Sequence, residues 1–173
     1  MNDEPVETVW AGKFIEAKRK GRWEFVGRAN GIHAAVIIAI EDGHILLVEQ
    51  HRVPLGGPCI ELPAGLVGDI DKGETVEVSA ARELEEETGY RPERIEVIGE
   101  FASSPGMVSE TFTLVKAHSL TKVGDGGGEE HEGITVHRVK LDAVAEFVAR
   151  KRAKGCFIDV KILLLLASNI IAL

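Results

Sequence analysis

The sequence predicts an α+β protein, in which strands precede and follow one strongly charged helix. Residues 76–88 contain neither proline nor glycine and are rich in alanine, leucine and glutamate, a composition that favours a helix. The apolar runs at 33–40 and 45–48 are joined by a segment that contains Asp-Gly, which is typical of a β-hairpin. A second, amphipathic helix is predicted at 141–154. Helices and strands are therefore mixed along the chain.

The amino-terminal segment is predicted to form a hairpin. Residues 6–28 read as two strands around a basic turn, with Trp10 before the turn and Trp23 after it. The basic turn is interpreted as a solvated hairpin tip rather than a phosphate site. Because an isolated two-stranded hairpin is marginal in water, we expect this one to pack on another surface, such as a second subunit. We therefore divide the chain into a β-hairpin subdomain, 1–30, and a main domain, 31–173.

The second half of the chain alternates between strands and loops. Strands are predicted at 95–101, 111–116 and 134–139. The segment 124–133 is predicted to be flexible, because it contains three consecutive glycines. Residues 157–173 are largely apolar and are predicted to form a final, mostly buried helix.

Length, composition and charge restrict the class of protein. The 173 residues suit one domain with its own core, and 45% apolar with 28% charged residues is ordinary for a globular protein. The net charge of −8 argues against nucleic acid as a partner, since such a binder needs a basic face. The apolar run at 162–167 is too short to span a membrane, and residues 1–5 lack the pattern of a signal peptide. Cys59 and Cys156 lack metal-site spacing and are predicted to be reduced thiols in a cytoplasmic protein.

Glutamates are concentrated on one side of the helix predicted at 76–88. Glu83 lies three residues before Glu86 and four before Glu87, which places the side chains along one stripe. Like charges at this spacing destabilise a helix by ~0.2–0.5 kcal/mol per pair, so something outside the helix is expected to offset the repulsion. The stripe suits either a solvated acidic surface or a site for a hard cation such as Mg²⁺. Spacing alone favours the solvated surface.

The wider pattern around this helix favours the cation site. The stretch from Gly68 to Tyr90 resembles the signature of the Nudix hydrolases, G-x5-E-x7-R-E-U-x-E-E-x-G-U, in which U is a bulky apolar residue. Tyr90 departs from the signature by being aromatic where an aliphatic residue is usual. So many fixed positions leave little room for a chance match. The matching residues are Gly68, Glu74, Arg82, Glu83, Leu84, Glu86, Glu87 and Gly89.

The flanking segments resemble one group within that family, the ADP-ribose pyrophosphatases. The similar segments are Trp23-Glu24-Phe25-Val26, Arg52-Val53-Pro54, Glu61-Leu62-Pro63-Ala64-Gly65, and Ser104-Pro105-Gly106 with Glu110. The resemblance implies a Nudix fold, an α/β/α sandwich with a mixed sheet plus a small amino-terminal antiparallel β piece. In that group the amino-terminal piece is often exchanged between the subunits of a homodimer.

One departure from the group's pattern concerns a glycine. In relatives the glycine of Pro-Ala-Gly is usually also the first glycine of the signature, but here Gly65 and Gly68 are separate. Three extra residues therefore precede Glu74. We expect this loop to bulge by three residues, while the Ala64 carbonyl, a metal ligand in relatives, still faces the site.

The resemblance implies a Mg²⁺-dependent pyrophosphatase, with Mn²⁺ as an alternative metal. Its substrate would be ADP-ribose or a similar nucleoside diphosphate sugar, and its products a nucleoside monophosphate and a sugar phosphate. One alternative is hydrolysis of another nucleoside diphosphate derivative, such as GDP-mannose. Another is a non-catalytic Nudix-fold module that senses such a nucleotide, although the intact glutamates of the signature argue against it.

The resemblance also implies roles for the residues of the signature. Glu83 and Glu87 are expected to be the principal metal ligands, with Glu86 sharing or bridging. Arg82 is expected to hold a carboxylate of the signature, Glu74 or Glu86, through a bidentate pair.

The general base is open among several glutamates, because relatives take it from a loop or from the signature itself. Glu110 is the first candidate, since it follows the Ser-Pro-Gly loop. Glu130 and Glu132 are the second candidates, and Glu86 represents the signature. For each loop glutamate, a solvated surface position is an equally good interpretation.

Four residues are assigned to substrate binding by the same resemblance. Arg52 is expected to contact phosphate, and Glu61 to line the substrate side of the cleft. Arg28 and Trp23 are expected to meet the nucleoside end, where an indole face can stack on a base. Packing in the core is an equally good role for Trp23.

Overall fold

The structure, a computed structural model, describes residues 4–29, 33–68, 73–128 and 132–166. Within these ranges there are two α-helices, α1 Val76–Thr88 and α2 Val144–Ala153, and the strands form two sheets. The smaller sheet contains β1 Glu7–Ala11, β2 Ile15–Lys20 and β3 Trp23–Arg28. The larger sheet contains β4 His33–Glu41, β5 His44–Arg52, β6 Gly57–Glu61, β7 Ala64–Val67, β8 Tyr90–Ala102, β9 Thr111–Lys122, β10 Thr135–Lys140 and β11 Phe157–Ile158.

The larger sheet is mixed. Its strands follow the order β11-β6-β5-β4-β9-β8, while β10 pairs with β5 and β7 pairs with β4. The pairs β4–β9 and β6–β11 are parallel, whereas β8–β9 and β5–β6 are antiparallel. This arrangement confirms the predicted α+β class and the mixed sheet.

Both faces of the larger sheet are covered, because successive side chains of a strand point to opposite faces. Ile37 of β4 packs in one core cluster with Ala80 and Leu84 of α1. Its neighbour Ile38 packs in a second cluster with Phe147 of α2. The helices therefore lie on opposite faces of the sheet, as in an α/β/α sandwich.

The predicted hairpin between β4 and β5 is confirmed. The connection turns through Asp42 and Gly43, whose φ angles are 47° and 69°. Positive φ at both central residues is the geometry for which Asp-Gly is favoured, because glycine adopts it without strain.

The amino-terminal segment contains three strands, so the prediction of two was wrong. The turn between β2 and β3 lies at Gly21, as expected. A further turn interrupts the first predicted strand, where the Gly12 amide donates to the Ile15 carbonyl at 2.8 Å. The predicted first strand ran through this turn because Trp10, Phe14 and Ile15 are all apolar. β1 instead folds back and pairs with β2.

The predicted helix over 157–173 was wrong for residues 157–166, the part that the structure describes. Phe157–Ile158 forms β11, which pairs with β6, and a 3-10 helix follows at Val160–Leu166. Residues 167–173 lie outside the described ranges. Residues 157–159 are extended because β11 pairs with β6 and the Asp159 amide donates to the Ile60 carbonyl at 2.9 Å. Among the described residues, no helix is both long and apolar enough to cross a bilayer.

Candidate active site

The site is built on α1, whose ends agree with the sequence analysis. At its start the Thr75 hydroxyl accepts a hydrogen bond from the Val78 amide at 3.4 Å, which caps the helix. At its end Gly89 adopts a left-handed conformation with φ 72°, and its amide donates to the Glu85 carbonyl. The helix therefore presents its glutamates from a segment with fixed ends.

The glycine-rich segment after β9 encloses the carboxyl end of α1. The Gly127 amide donates to the Glu87 carbonyl at 2.8 Å, and the Gly128 amide to the Glu86 carbonyl at 3.0 Å. A Cβ on Gly126 would lie 2.4 Å from the carbonyl carbon of Thr88, so only glycine fits this contact. The segment predicted to be flexible is thus bonded to the end of α1 at residues 124–128. Residues 129–131, which include the candidate base Glu130, lie outside the described ranges.

Strand β7 approaches α1 closely at the Pro-Ala-Gly segment. A Cβ on Gly65 would lie 2.0 Å from Cγ of Glu83, so a glycine is required where this side chain crosses the strand. The Ala64 amide donates to Oε2 of Glu87 at 3.1 Å. Residues 64–67 pair regularly with β4, so the expected three-residue bulge does not begin at Gly65. Residues 69–72 lie outside the described ranges.

A cleft of about 520 Å³ lies where α1, the ends of several strands and the carboxyl-terminal segment meet. Its lining combines acidic residues with basic and apolar ones. The lining residues are Arg28, Ala34, Val36, Gln50, Arg52, Glu61, Ala64, Gly65, Leu66, Glu83, Glu87, Ser103, Glu110, Phe112, Glu132 and Lys161. Most of the predicted site residues are thus brought together.

Glu87 is the most buried glutamate of the signature that lines the cleft, at 5% exposure. Burial raises the pKa of its carboxyl to about 8, and the negative charges of Glu83 and Glu132 act in the same direction. The Ala64 amide and the Arg52 guanidinium oppose this rise. A buried carboxylate beside two others is a position where a cation is strongly favoured.

Arg82 contacts several carboxylates of the signature at once. Its guanidinium lies 3.3 Å from Glu74, 3.0 Å from Glu83 and 3.1 Å from Glu86. The Ser79 hydroxyl also donates to Glu74 at 2.6 Å, and together with Arg82 it lowers the pKa of that carboxyl. The expected contact of Arg82 is therefore present with both Glu74 and Glu86, and it offsets the repulsion along the acidic stripe.

Glu86 differs from the other two glutamates of the stripe. Its side chain is 47% exposed, and it does not line the cleft. Its position beside Arg82 is on the solvent side of α1. Its roles as a shared metal ligand and as a base stay predictions.

Two arginines line the cleft as members of ion pairs. Arg52 donates two hydrogen bonds to Glu61, at 2.6 and 2.7 Å, in a bidentate pair. Arg28, from the amino-terminal sheet, donates to Glu110 at 2.5 Å. Both arginines and both glutamates therefore lie where the sequence analysis expected substrate and catalytic groups.

The amino-terminal sheet contributes to the cleft through β3. The Val26 amide donates to the Met107 carbonyl at 2.9 Å, and the Val26 carbonyl accepts from the Ser109 amide at 2.9 Å. These bonds attach the sheet to the loop that carries Glu110. Trp23, at the other end of β3, is 58% exposed and does not line the cleft of this chain.

The donor set fits a magnesium ion. Mg²⁺ prefers carboxylate oxygens, uses one or two of them, and completes its shell with waters and substrate phosphates. Glu83 and Glu87 line the cleft side by side, one helical turn apart. Across the part of the chain that the structure describes, no three histidine, cysteine, aspartate or glutamate side chains form a ready-made metal cage. An ion bound mainly by two carboxylates is compatible with both observations.

Several cleft residues were not assigned a role from the sequence, among them Gln50, Ser103, Phe112 and Lys161. A signal was present only for Lys161, which is the single charged residue of the 3-10 helix Val160–Leu166. That segment was predicted to be part of a mostly buried helix, in which a lysine would point away from the core.

Comparison with known proteins gives a consistent result. Residues 30–158 match the family model described as the NUDIX domain. A methanol dehydrogenase activator from Bacillus methanolicus is 40% identical over 119 residues, which are 68% of this chain and 63% of that protein. An ADP-ribose pyrophosphatase from Bacillus subtilis is 36% identical over 115 residues, 66% of this chain and 60% of that protein. The chain thus spans less than two thirds of the length of these relatives.

A solved structure described as an ADP compounds hydrolase shares the fold. It superposes with a TM-score of 0.65, covering 87% of this chain and 92% of that one, at 22% sequence identity. The mixed sheet, the flanking helices and the small amino-terminal sheet are the features that the sequence analysis expected of a Nudix fold.

Proposed function

Because this chain belongs to the NUDIX family, we propose that it hydrolyses the diphosphate linkage of ADP-ribose or a similar nucleoside diphosphate sugar. The products would be a nucleoside monophosphate and a sugar phosphate. The observation that carries the proposal is the cleft itself, whose lining contains Glu83 and Glu87 of the signature together with Arg28 and Arg52. A substrate with a central diphosphate and two polar ends matches this distribution of charge.

The metal would be Mg²⁺, with Mn²⁺ as the alternative, held by Glu83 and Glu87. When bound, such an ion neutralises charge that develops on the diphosphate. The Ala64 amide holds one oxygen of Glu87, which orients the carboxylate toward the cleft. Arg82 holds Glu83 from the side, at 3.0 Å. The chain's own residues thus fix both carboxylates before any ion arrives.

The general base would be Glu110 or Glu132, because both carboxylates line the cleft. Glu132 lies close enough to Glu87 for its charge to raise the pKa of that carboxyl. Glu110 forms an ion pair with Arg28 at 2.5 Å, through which it would alternatively hold this arginine for substrate binding.

Arg52 and Glu61 would bind the substrate together. Their bidentate pair holds the guanidinium in the lining of the cleft, where its outer N–H donors can reach a phosphate oxygen. Glu61 is 6% exposed, so Arg52 is anchored to a buried carboxylate.

We also propose that the amino-terminal sheet is covered by a second copy of the chain. Its exposed apolar side chains include Trp10 at 56%, Phe14 at 68% and Trp23 at 58%. Exposed apolar side chains of this size favour association. In a homodimer Trp23 would approach the partner subunit rather than its own cleft. Light scattering of the purified protein tests this proposal, and a monomer at all concentrations would contradict it.

The enzymatic proposal is tested with a panel of nucleoside diphosphate sugars that contains ADP-ribose and GDP-mannose. Release of nucleoside monophosphate is measured with Mg²⁺, with Mn²⁺ and with a chelator, in the wild type and in Glu87→Gln. Metal-dependent turnover of ADP-ribose that the variant loses supports the proposal. Preferred turnover of GDP-mannose would assign that nucleotide sugar as the substrate. Tight binding without turnover under any metal would favour a sensor.

A further inference from the structure

A lysine on the carboxyl-terminal wall of the cleft has no role in the site described so far. Lys161 is the only charged residue in the 3-10 helix Val160–Leu166, whose other side chains are all apolar. Its side chain is 21% exposed and lines the cleft with Phe112. Partial burial of a charged side chain costs free energy unless something compensates it.

The position of the ammonium group is fixed by a single aspartate. Oδ1 of Asp159 accepts from the Lys161 amide at 2.7 Å, and Oδ2 accepts from the ammonium at 2.5 Å. The ammonium also lies 5.7 Å from the centre of the Phe112 ring. Asp159 is itself attached to β6, because its amide donates to the Ile60 carbonyl. The lysine is therefore held against the strand that ends in Glu61.

The charge of Lys161 reaches the cleft in a different way from the charges of the two arginines. The arginines bring their carboxylate partners into the lining, since Glu110 and Glu61 both belong to it. Asp159, in contrast, is not one of the lining residues. An ammonium has three N–H donors, so a contact with one Asp159 oxygen leaves donors that can face the cleft. Lys161 thus presents positive charge whose partner lies behind it.

We propose that Lys161 is a substrate-binding residue whose ammonium binds a phosphate oxygen of the diphosphate. The proposal rests on the proposed function and specifies how the site recognises its substrate class. A compact ammonium suits a phosphate oxygen, and its anchoring by Asp159 reduces the entropy lost on binding. Since the same contact is present before and during reaction, it contributes to affinity rather than to the chemical step.

The test compares Lys161→Met with Lys161→Arg. Methionine keeps an unbranched stem against Phe112 and removes the charge, whereas arginine keeps the charge. We expect Lys161→Met to raise KM for ADP-ribose by about tenfold or more, the usual effect of losing a hydrogen bond to a charged group. We expect kcat to change by no more than about twofold, because uniform binding is lost. Lys161→Arg should recover most of the affinity.

A matched control removes a lysine elsewhere on the surface. Lys154 is exposed just after α2, so Lys154→Met loses one positive charge without touching the cleft. Its KM for ADP-ribose should equal that of the wild type. An equal rise of KM in both methionine variants would overturn the proposal, because it would indicate a general effect of net charge.

Binding in the presence of a chelator provides a readout that does not depend on turnover. Dissociation constants are measured for ADP-ribose and for adenosine, which has no phosphate, by calorimetry. Lys161→Met should raise the dissociation constant of ADP-ribose and leave that of adenosine unchanged. An equal rise of both dissociation constants would indicate a structural role and overturn the proposal.

The outcomes also separate this proposal from the proposed function. A wild type that binds ADP-ribose without hydrolysing it contradicts the enzymatic function, yet the binding experiment still tests Lys161. A wild type that hydrolyses ADP-ribose, with an unchanged KM in Lys161→Met, contradicts only the role of Lys161. A wild type that neither binds nor hydrolyses any member of the panel contradicts both.

Discussion

The Glu83 side chain crosses the backbone at Gly65 so closely that a single added methyl group would overlap it. The built Cβ lies 2.0 Å from Cγ and 2.1 Å from Cδ of Glu83. The backbone of β7 cannot yield easily, because residues 64–67 are paired with β4. Gly65 therefore determines where the Glu83 carboxylate lies.

We expect Gly65→Ala to displace Glu83 and to reduce kcat by about 10–100-fold, since a misplacement of about 1 Å can cost a factor of that size. The measurement is steady-state hydrolysis at saturating Mg²⁺, together with thermal unfolding to verify that the variant folds. Gly124→Ala is the matched control, because a Cβ there meets nothing within 4 Å. Equal activity of Gly65→Ala and the wild type would show that Glu83 does not need its present position.

The two candidate bases predict opposite results in a pair of variants. If Glu132 is the base, Glu132→Gln should lower kcat by ~10²–10⁴-fold, the usual contribution of a general base. Glu110→Gln should instead act mainly on KM, because it weakens the ion pair with Arg28. The measurement is kcat and KM for both variants in one buffer. A large loss of kcat in Glu110→Gln alone would identify Glu110 as the base.

Substitutions of Arg52 and Glu61 should have non-additive effects on the free energy of unfolding. Arg52→Met leaves a carboxylate with 6% exposure without its cation, and we expect a loss of ~1–3 kcal/mol in the free energy of unfolding. The double variant Arg52→Met/Glu61→Gln should lose less than the sum of the single variants, because no unpaired charge remains. Urea unfolding measures all four proteins. Strictly additive losses would mean that the interaction between the two side chains does not contribute to stability.

The surroundings of Glu49 predict how the free energy of unfolding changes with pH. Lys151 donates to Glu49 at 2.5 Å, and His137 lies 2.7 Å from the same carboxylate. The hydrogen bond from Lys151 is the main reason that the pKa of Glu49 lies below its usual value of 4.5, although partial burial opposes it. The folded-state pKa is thus below the unfolded one. The stabilisation is therefore present above pH 4.5 and is lost as the pH falls through the folded-state value.

Glu49→Gln should accordingly be less stable than the wild type near neutral pH, and the difference should shrink in acid. Urea unfolding of both proteins across this range provides the measurement. Glu146→Gln serves as a control, because the Glu146–Arg150 pair on α2 is exposed and should contribute little. A difference between Glu49→Gln and the wild type that stays constant with pH would contradict the prediction.

The ends of α1 could be predicted from the sequence because local signals determine them. Thr75 is a good amino-terminal cap, Gly89 favours the left-handed conformation, and the residues between them favour a helix. The spacing of Glu83 and Glu87 then follows from the helix itself. Their position in the cleft was therefore accessible before the structure was known.

The carboxyl-terminal wall could not be predicted, because distant residues determine it. The apolar sequence after residue 156 is compatible with a helix, but Asp159 bonds to the backbone of Ile60, about a hundred residues earlier. This pairing is not visible in a local pattern. The same reason explains why Lys161 received no role.

The contacts of residues 124–128 could not be predicted for a similar reason. Three consecutive glycines indicate flexibility when they are read alone, yet here the amides of Gly127 and Gly128 donate to the carbonyls of Glu87 and Glu86. The close approach at Gly126 needs glycine both for its lack of a side chain and for its φ of 71°. Contacts of this kind with α1 are not visible in a local pattern.

The attachment of β3 to the Glu110 loop divides the cleft between two modules of the chain. Glu83 and Glu87 come from α1, whereas Arg28 arrives from a separate sheet that contacts the body through Val26. Under the proposed function, the metal-binding carboxylates and the substrate-binding arginine of β3 would therefore lie on separate elements. Substitutions in β3 would then change the preference for a substrate without disturbing α1.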